Sequence, residues 1–239
     1  MDNFRHNYNS IRLIFLVGQT NDLNLTSAIE NENEHYGDIV QGNFVDSYRN
    51  MTYKHIMGLK WVSYFCPNVP YIFKADDDIF VDLFQLIYYL KGSFGGSPHN
   101  LIACYLNKGA WAKRSYRNKW RVSYKEYSNN YYPQYCSGWV IIMSRDVAAH
   151  LYSISRNRTY FWIDDVFVSG ILAQDLNIDH KDMTDRISVD ISHVNNWLES
   201  DHLTLPPMFG SPNIDTEIIK KLWNKTVQYY HVKLNYTLE

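Results

Sequence analysis

Short apolar runs that end in turn or acidic residues recur along the chain and predict buried strands of a parallel or mixed sheet. Residues 12–18 form one such run, closed by Gly18, and residues 71–75 form another that ends in acids. Between them, apolar positions follow a roughly helical stripe over residues 51–62, after a capping stretch at residues 46–48. A strand, a helix and a strand in this order predict an α/β sandwich.

The second half of the chain alternates helix signals with turn signals. Asp82 is placed to cap a helix over residues 83–90, which Gly92 and the Gly- and Pro-containing stretch 95–98 bring to an end. The polar and basic residues 108–125 predict a surface excursion. The remaining predicted elements are a third strand at residues 139–143 and helices at residues 147–154, 166–176 and 218–223.

Three consecutive carboxylates follow the second predicted strand. Asp76, Asp77 and Asp78 come directly after residues 71–75 and directly before the apolar residues 79–81. An isolated acidic triplet is most simply a solvent-exposed turn, but apolar runs on both sides argue against a loose loop. Ligands bind at the carboxyl ends of strands in open α/β sheets, and carboxylate oxygens are the ligands that Mg²⁺ and Mn²⁺ prefer. The triplet therefore predicts a divalent metal site.

A second acidic site starts a predicted helix. Asp164 and Asp165 lie within the largely apolar stretch 162–170. A carboxylate held at a helix start by apolar neighbours is fixed in position and partly dry, which suits a general base that takes a proton from a hydroxyl. Taken alone, a plain helix N-cap is the simpler interpretation, because Asp is a preferred capping residue.

Residues 131–139 form an aromatic turn before the third predicted strand. Aromatic residues make up 16% of the chain, with 20 Tyr and 7 Trp, and their faces suit the C–H faces of sugar rings. Most of them are expected to fill the core. The turn is thus either a platform for a sugar acceptor or a structural turn.

Length and charge narrow the functional classes. At 239 residues the chain can bury one sizeable core, and we predict a single domain over residues 1–239. Its 23 Lys and Arg against 25 Asp and Glu give a net charge of −2. No basic excess is available to neutralise a nucleic-acid backbone, so nucleic acid is not an expected partner.

Cysteines and glycosylation sequons favour the secretory pathway. Cys66, Cys104 and Cys136 show no zinc-binding spacing, and at most one internal disulfide can form, with its pairing left open. No apolar run is long enough to span a bilayer, and residues 1–10 lack the apolar core of a signal peptide, so we expect the targeting segment of a lumenal protein to lie outside this chain. Five N-x-T sequons occur, at Asn24, Asn50, Asn157, Asn224 and Asn235. Because such glycosylation acceptors only matter in a chain that enters the secretory pathway, they favour a lumenal location.

Several spaced motifs occur in one order along residues 12–176. They are Glu34-x-Tyr36-Gly37-Asp38-Ile39-Val40-Gln41, Phe44-x-Asp46-Ser47-Tyr48-x-Asn50-x-Thr52-x-Lys54, Trp61, Cys66, Tyr71-x-x-Lys74-x-Asp76-Asp77-Asp78-x-Phe80, Tyr132-Pro133-x-Tyr135-Cys136-Ser137-Gly138 and Asp164-Asp165-Val166-x-Val168-x-Gly170. In this order and approximate spacing, the motifs resemble the β-1,3-galactosyltransferase family, glycosyltransferase family 31. An ordered set of this kind is far more specific than any single motif.

The resemblance implies a GT-A-like fold, which is a three-layer α/β/α sandwich. It also implies an inverting, Mn²⁺- or Mg²⁺-dependent transfer of galactose or an N-acetylhexosamine from a UDP-sugar donor to a glycan acceptor in β-1,3 linkage. By position, Asp76 and Asp78 match metal ligands, and Asp165 matches the general base. Lys74, Asp76 and Asp77 are expected to contact the nucleotide-sugar. Tyr135, Gly138, Trp162 and Asp164 are expected to contact the acceptor. The resemblance further implies the Golgi lumen, with a type II membrane anchor absent from this chain.

The chain departs from the family pattern at three places. The family's N-terminal strand and Arg-rich segment are not recognisable before Arg12, so the donor pocket is expected to be less complete. Asp164 replaces the Glu of a motif usually written Glu-Asp-Val. Residues 208–213 lack the late histidine that completes the family's metal site, and His193 and His202 lie upstream as lone histidines.

Two alternative functions stay open at this point. A relative that keeps the fold and binds sugar or nucleotide, without turnover, fits the three departures. A metal-dependent phosphohydrolase also uses clustered aspartates. Phe80 stands where such a phosphatase needs a small hydroxyl residue, which makes the second alternative the weaker one.

Overall fold

A computed structural model describes residues 11–234 and shows strands alternating with helices. The strands are β1 (Phe15–Gln19), β2 (Ile39–Val45), β3 (Tyr71–Ala75), β4 (Ile102–Asn107), β5 (Tyr135–Ser144) and β6 (His180–Asp182). The α-helices are α1 (Leu23–Tyr36), α2 (Met51–Phe65), α3 (Leu83–Phe94), α4 (Arg145–Ser155), α5 (Ala173–Asp175), α6 (Ile191–Glu199) and α7 (Thr216–Leu234). A π-helix (Val166–Leu172) leads into α5, and 3-10 turns lie at Tyr48–Asn50 and Thr184–Arg186. The predicted α/β class is confirmed.

The central sheet has the strand order β3-β5-β4-β6. The long strand β5 runs antiparallel to both β3 and β4, and β6 runs parallel to β4. Strands β1 and β2 form a separate parallel pair. The sheet is therefore mixed, and β5 is the strand that joins the two predicted acidic sites.

Helices cover both faces of the central sheet, and the apolar side chains of β5 point alternately to one face and to the other. Ile141 and Met143 pack on one side with Leu59 of α2 and with residues of α4. Val140 and Ile142 point to the other side and pack with α3. This two-residue period is the normal consequence of a pleated strand buried on both faces.

The prediction of a buried strand at residues 12–18 is wrong in burial and slightly shifted in position. The strand is Phe15–Gln19, and of its five residues only Gly18 is buried. Among the described residues, β1 pairs with β2 alone and packs against α2, so much of its side-chain surface stays accessible. An added Cβ on Gly18 would meet the backbone of Phe44 and Asp46 at under 3.0 Å, which explains the glycine.

The helix predicted over residues 51–62 is confirmed as α2, but its capping stretch is used differently. The Asp46 carboxylate accepts a hydrogen bond from Gly18 N at 2.7 Å and pairs with Lys54 Nζ at 2.8 Å. It therefore joins β1 to α2. A 3-10 turn fills the space before the helix, and Asn50 at the N-cap makes no side-chain capping bond.

The other predicted helices are present with revised bounds, and most of the helix predicted over residues 166–176 is a π-helix. Asp82 caps α3 by accepting from Phe84 N at 3.0 Å and Gln85 N at 3.2 Å, and the helix ends at Phe94 before Gly95. The last helix spans Thr216–Leu234 and is far longer than the predicted residues 218–223. The prediction followed the short apolar stretch alone, whereas an amphipathic helix also contains the polar residues of its exposed face. The stretch 108–125 is mostly exposed, as predicted, and is fastened by buried side chains at Ala112 and Val122.

The disulfide left open by the sequence joins Cys104 of β4 to Cys136 of β5. Cys66 is a free thiol. Within residues 11–234, no helix combines the length and the apolar character needed to cross a bilayer. The sequon at Asn235 lies outside the described residues.

Candidate functional site

The acidic triplet forms the turn that follows β3. Asp76 N donates to the carbonyl of Trp139 at 3.2 Å, which extends the pairing of β3 with β5 into the turn. The carbonyl of Asp78 accepts from Ile214 N at 2.8 Å. Asp77 is exposed, whereas Asp76 and Asp78 are partly buried. The backbone of the turn is thus held from two sides.

Residues 208–214 pack against this turn from a distant part of the chain. Gly210 N donates to the carbonyl of Phe80 at 2.8 Å, and Asp82 N donates to that of Met208 at 2.9 Å. An added Cβ on Gly210 would lie 2.8 Å from Ile214 Cδ1 and 3.1 Å from Phe80 Cβ, so this close approach needs glycine. The stretch in which the sequence lacks the late histidine therefore lies beside the acidic turn.

Lys74 connects the acidic turn to β5. Its Nζ donates to Asp76 Oδ1 at 2.6 Å and makes a short hydrogen bond to the carbonyl of Gly138. The side chain of Lys74 is about one-fifth exposed, so the ion pair is shielded from water on most sides. Its charge also stabilises the negative forms of Asp164 and Asp165, which places both predicted acidic sites around one lysine.

Asp165 lies against Gly138 with no room for a larger residue. An added Cβ on Gly138 would lie 3.3 Å from Asp165 Cβ and 3.5 Å from its Oδ2. The carboxylate caps the π-helix by accepting from Val166 N at 2.7 Å. Burial, and then the negative charge of Asp164, raise the pKa of Asp165 to about 7. A carboxylate with this proton affinity suits proton transfer near neutral pH.

Asp164 behaves differently from its neighbour because it has a partner. His55 of α2 lies with Nδ1 3.1 Å from Asp164 Oδ2. Burial alone raises the pKa of Asp164, but the hydrogen bond and charge of His55 and the charge of Lys74 outweigh it and hold the pKa below the ordinary value. The two adjacent carboxylates are thereby driven apart in proton affinity, the pattern that separates acid and base roles in active sites.

A serine fixes the position of Asp165 relative to β5. Ser169 Oγ donates to the carbonyl of Asp165 at 2.6 Å and accepts from Cys136 N at 2.9 Å. Cys136 is fully buried and is held to β4 by the disulfide. Gly170, the next residue, lets the helix approach β5, because an added Cβ would lie 3.1 Å from Tyr135 Cβ.

The predicted acceptor residues divide into buried and accessible groups. Trp162 is 5% exposed, and the guanidinium of Arg49 lies 4.4 Å above its ring, so it supports the site more than it faces a ligand. Tyr135 is partly buried, and burial followed by the charge of Asp165 raises its pKa to about 12. The exposed aromatic side chains at the site are Tyr48 and Trp120, whose Nε1 donates to Tyr48 Oη at 2.6 Å.

Acids from both acidic sites act on the pKa of Tyr48. Burial, and then the charges of Asp165, Asp164 and Asp76, raise its pKa, whereas the hydrogen bond from Trp120 lowers it. The exposed aromatic pair therefore lies within electrostatic reach of Asp76, Asp164 and Asp165. Neither residue was singled out as an acceptor contact from the sequence.

The acidic turn fits a divalent cation that is shared with a phosphate ligand. Within residues 11–234, no three His, Cys, Asp or Glu side chains converge as a self-contained metal site. Mg²⁺ and similar ions are commonly bound through one or two carboxylates, with substrate phosphates and water completing the shell. Asp76 has one oxygen engaged by Lys74, and the Asp78 carboxylate has no hydrogen bond or ion pair within the described chain. This donor set matches the shared mode.

A family model described as galactosyltransferase matches residues 1–184. The chain belongs to the galactosyltransferase family. The resemblance stated from the sequence motifs is confirmed, and the match extends beyond residues 12–176 at both ends.

Members of the family with similar sequences are β-1,3-galactosyltransferases. The chain is 34% identical over 168 residues to human β-1,3-galactosyltransferase 5, which covers 70% of this chain and 53% of that protein. It is 36% identical over 171 residues to human β-1,3-galactosyltransferase 2, and this alignment covers 71% of this chain and 40% of that protein. Mouse β-1,3-galactosyltransferase 1 is 34% identical to the chain over 175 residues, and this alignment covers 72% of this chain and 53% of that protein. The chain spans about half the length of these relatives.

Proposed function

We propose that this chain is an inverting glycosyltransferase that moves galactose, or an N-acetylhexosamine, from a UDP-sugar to a glycan hydroxyl in β-1,3 linkage. The observation that carries the proposal is Asp165, a carboxylate with a pKa of about 7 that shares Lys74 with the acidic turn. Family membership and the names of the similar proteins support the reaction class. A GT-A type of fold is part of the same proposal, supported by a central sheet with helices on both faces.

Asp165 acts as the general base in this mechanism. It accepts the proton of the acceptor hydroxyl as the oxygen attacks the sugar from the face opposite the leaving group, so configuration inverts in one displacement. Gly138 allows the Asp165 side chain to lie directly against β5, and Ser169 holds the backbone of Asp165 in place. Tyr135, Gly138, Trp162 and Asp164 are the predicted acceptor contacts, to which we add Tyr48 and Trp120.

Asp76 and Asp78 would hold Mn²⁺ or Mg²⁺ together with the phosphates of the donor. When bound, the cation supplies neutralisation of the charge that develops on the leaving UDP. Asp77 and Lys74 are proposed to contact the nucleotide-sugar. Lys74 has one further N–H available beyond its two hydrogen bonds, and its charge favours a phosphate neighbour.

The partners of the reaction follow from the same proposal. They are a UDP-sugar donor and a glycan on a glycoprotein or glycolipid. We further propose that the protein works in the Golgi lumen as a type II membrane protein, since the sequons of the chain only matter in the secretory pathway.

The test is transfer by the purified protein with UDP-galactose or UDP-N-acetylglucosamine, Mn²⁺, and acceptors that end in different sugars. UDP release and the linkage of the product are measured together. Asp78→Ala is expected to abolish transfer, whereas Asp201→Asn, a change at an exposed acid away from the site, serves as the matched control. Metal-dependent UDP binding without UDP release in the presence of acceptors would favour the non-catalytic binding relative.

A further inference from the structure

The base proposed above has a neighbour whose role no sequence motif explains. His55 lies on α2, 109 residues before Asp164, and is 5% exposed. An ionised carboxylate can only accept hydrogen bonds, so the 3.1 Å contact requires that His55 Nδ1 carries the proton and donates to Asp164 Oδ2. The opposite ring nitrogen, Nε2, is buried and has no partner within residues 11–234. The ring is thus committed to this one contact.

Helix α2 holds the segment before Asp165 at a second point one turn earlier. Thr52 is 1% exposed, and its hydroxyl donates to the carbonyl of Phe161 at 2.7 Å. Thr52 and His55 are three residues apart, so they lie on one face of the helix. They therefore contact residues 161 and 164 as a pair. Thr52 fixes the backbone of the segment, and His55 acts on its carboxylate.

We infer, on the basis of the proposed function, that His55 is a positioning residue, which fixes the Asp164 carboxylate and thereby determines which of the two adjacent acids takes the acceptor's proton. Asp164 and Asp165 are neighbours in a partly dry site, so their two carboxylates compete for one proton. A donor fixed on Asp164 favours its ionised form, and repulsion then leaves the proton affinity with Asp165. The departure from Glu to Asp at position 164 leaves a short side chain that is met by a histidine from the facing helix.

Other charged and titratable groups surround Asp165, but they do not distinguish the two acids as His55 does. They are Lys74 of β3, which also pairs with Asp76 of the acidic turn, Tyr48 of the 3-10 turn, Tyr132 before β5 and Tyr135 of β5. Lys74 favours the negative form of both acids. Within the described part of the chain, His55 makes its hydrogen bond to Asp164 and none to Asp165.

Two substitutions separate the hydrogen bond from the packing of the ring. His55→Leu fills the same space with an apolar side chain of similar size and removes the donor. His55→Asn presents an amide N–H close to the position of Nδ1 and should restore the contact. In the leucine variant, Asp164 loses its donor and takes a larger share of the proton, so Asp165 ionises at lower pH and becomes a weaker base.

The experiment has one arm that does not depend on turnover. Side-chain carboxyls are titrated by carbon-13 NMR in protein without metal or donor, for wild type and both variants. The leucine variant is expected to lower the midpoint of Asp165 by about half a pH unit or more, and the asparagine variant to stay within about 0.3 units of wild type. An unchanged midpoint in the leucine variant, or an equal shift in both variants, overturns the inference.

The second arm measures transfer against pH. The acid limb of kcat/KM should move to lower pH in the leucine variant, and kcat at high pH should fall by about twofold or more, because half a pH unit of lost basicity in Asp165 changes the rate by no more than about threefold. The asparagine variant should recover both. A fall in rate with an unmoved limb and no recovery means a structural role only, and refutes the inference. Should His55→Leu fail to fold, His55→Gln takes its place, because its amide reaches the position of Nε2 and not that of Nδ1, and the same fall in the Asp165 midpoint is then expected.

The two arms keep this inference distinct from the proposed function. If wild type shows no transfer with any donor, the function fails, while the NMR titration still decides whether His55 sets the proton affinity of Asp165. If wild type transfers normally and the NMR midpoints do not respond to His55, the inference alone fails.

Discussion

Replacing Asp165 by Asn should abolish transfer and at the same time stabilise the folded protein at neutral and higher pH. The wild-type carboxyl is largely shielded from water beside Asp164, and its pKa is raised from 3.8 to about 7. Asparagine keeps the shape of the side chain and removes the charge. The same substitution therefore removes a general base and relieves an electrostatic cost.

The sign and size of the stability effect follow from proton linkage. Between the unfolded and folded pKa values, the folded protein binds one proton more than the unfolded chain, so the stability of wild type falls as pH rises through this window. By pH 5 the unfolded carboxyl is largely ionised, whereas the folded one stays protonated until about pH 7. The cost thus grows over about two pKa units, on the order of 3 kcal/mol at about 1.4 kcal/mol per unit.

The assay compares thermal unfolding of wild type and Asp165→Asn between pH 5 and pH 8, without metal or donor. For a chain of this size, 1 kcal/mol corresponds to about 2–4 °C, so the advantage of the variant should grow by roughly 5–10 °C across this range. Transfer should fall by about 10²–10⁴-fold, the usual contribution of a general base. Wild-type transfer itself should rise with pH around a midpoint near 7.

The matched control is Asp201→Asn, which removes the same charge at an exposed position. It should change neither the transfer rate nor the pH dependence of unfolding. A variant at Asp165 that keeps near-normal transfer would refute its role as the base. A stability difference that does not vary with pH would show that the Asp165 carboxyl is not held protonated by burial and by Asp164.

Three further predictions concern the support of the site and the surface. Gly138→Ala places a Cβ 3.3 Å from that of Asp165 and should lower transfer at least about tenfold while costing about 1–3 kcal/mol of unfolding free energy, measured by urea titration; wild-type activity would contradict this. Opening the disulfide by Cys104→Ala with Cys136→Ala should destabilise by about 3–4 kcal/mol from its 32-residue separation, and equal stability to wild type would contradict it. Asn157, whose sequon is exposed after α4, should carry a glycan in protein secreted from eukaryotic cells, and glycopeptide mass spectrometry that finds it bare would contradict this.

The parts of the fold that the sequence predicts are those whose apolar pattern reflects burial. Residues 71–75 and 139–143 are apolar runs and are strands of the central sheet. Helix α1 was not predicted, because none of its residues is buried and its sequence carries no apolar stripe. It is defined by its ends, where Asp22 caps the first turn and Gly37 takes a left-handed conformation. Apolar periodicity reports contact with a core, so it cannot detect a helix that makes little such contact.

The candidate site also has a part that the sequence predicts and a part that depends on the fold. Motifs of adjacent residues, such as the acidic turn and the pair Asp164-Asp165, are visible in the sequence because their chemistry is local. The partner of that pair is not, since a lone histidine on a helix is most often a packing residue, and His55 gains meaning only when the fold brings it across 109 positions to Asp164. The proton affinities of two adjacent and chemically identical acids differ because one of them has this partner. What distinguishes the base from its neighbour is therefore a property of the tertiary structure.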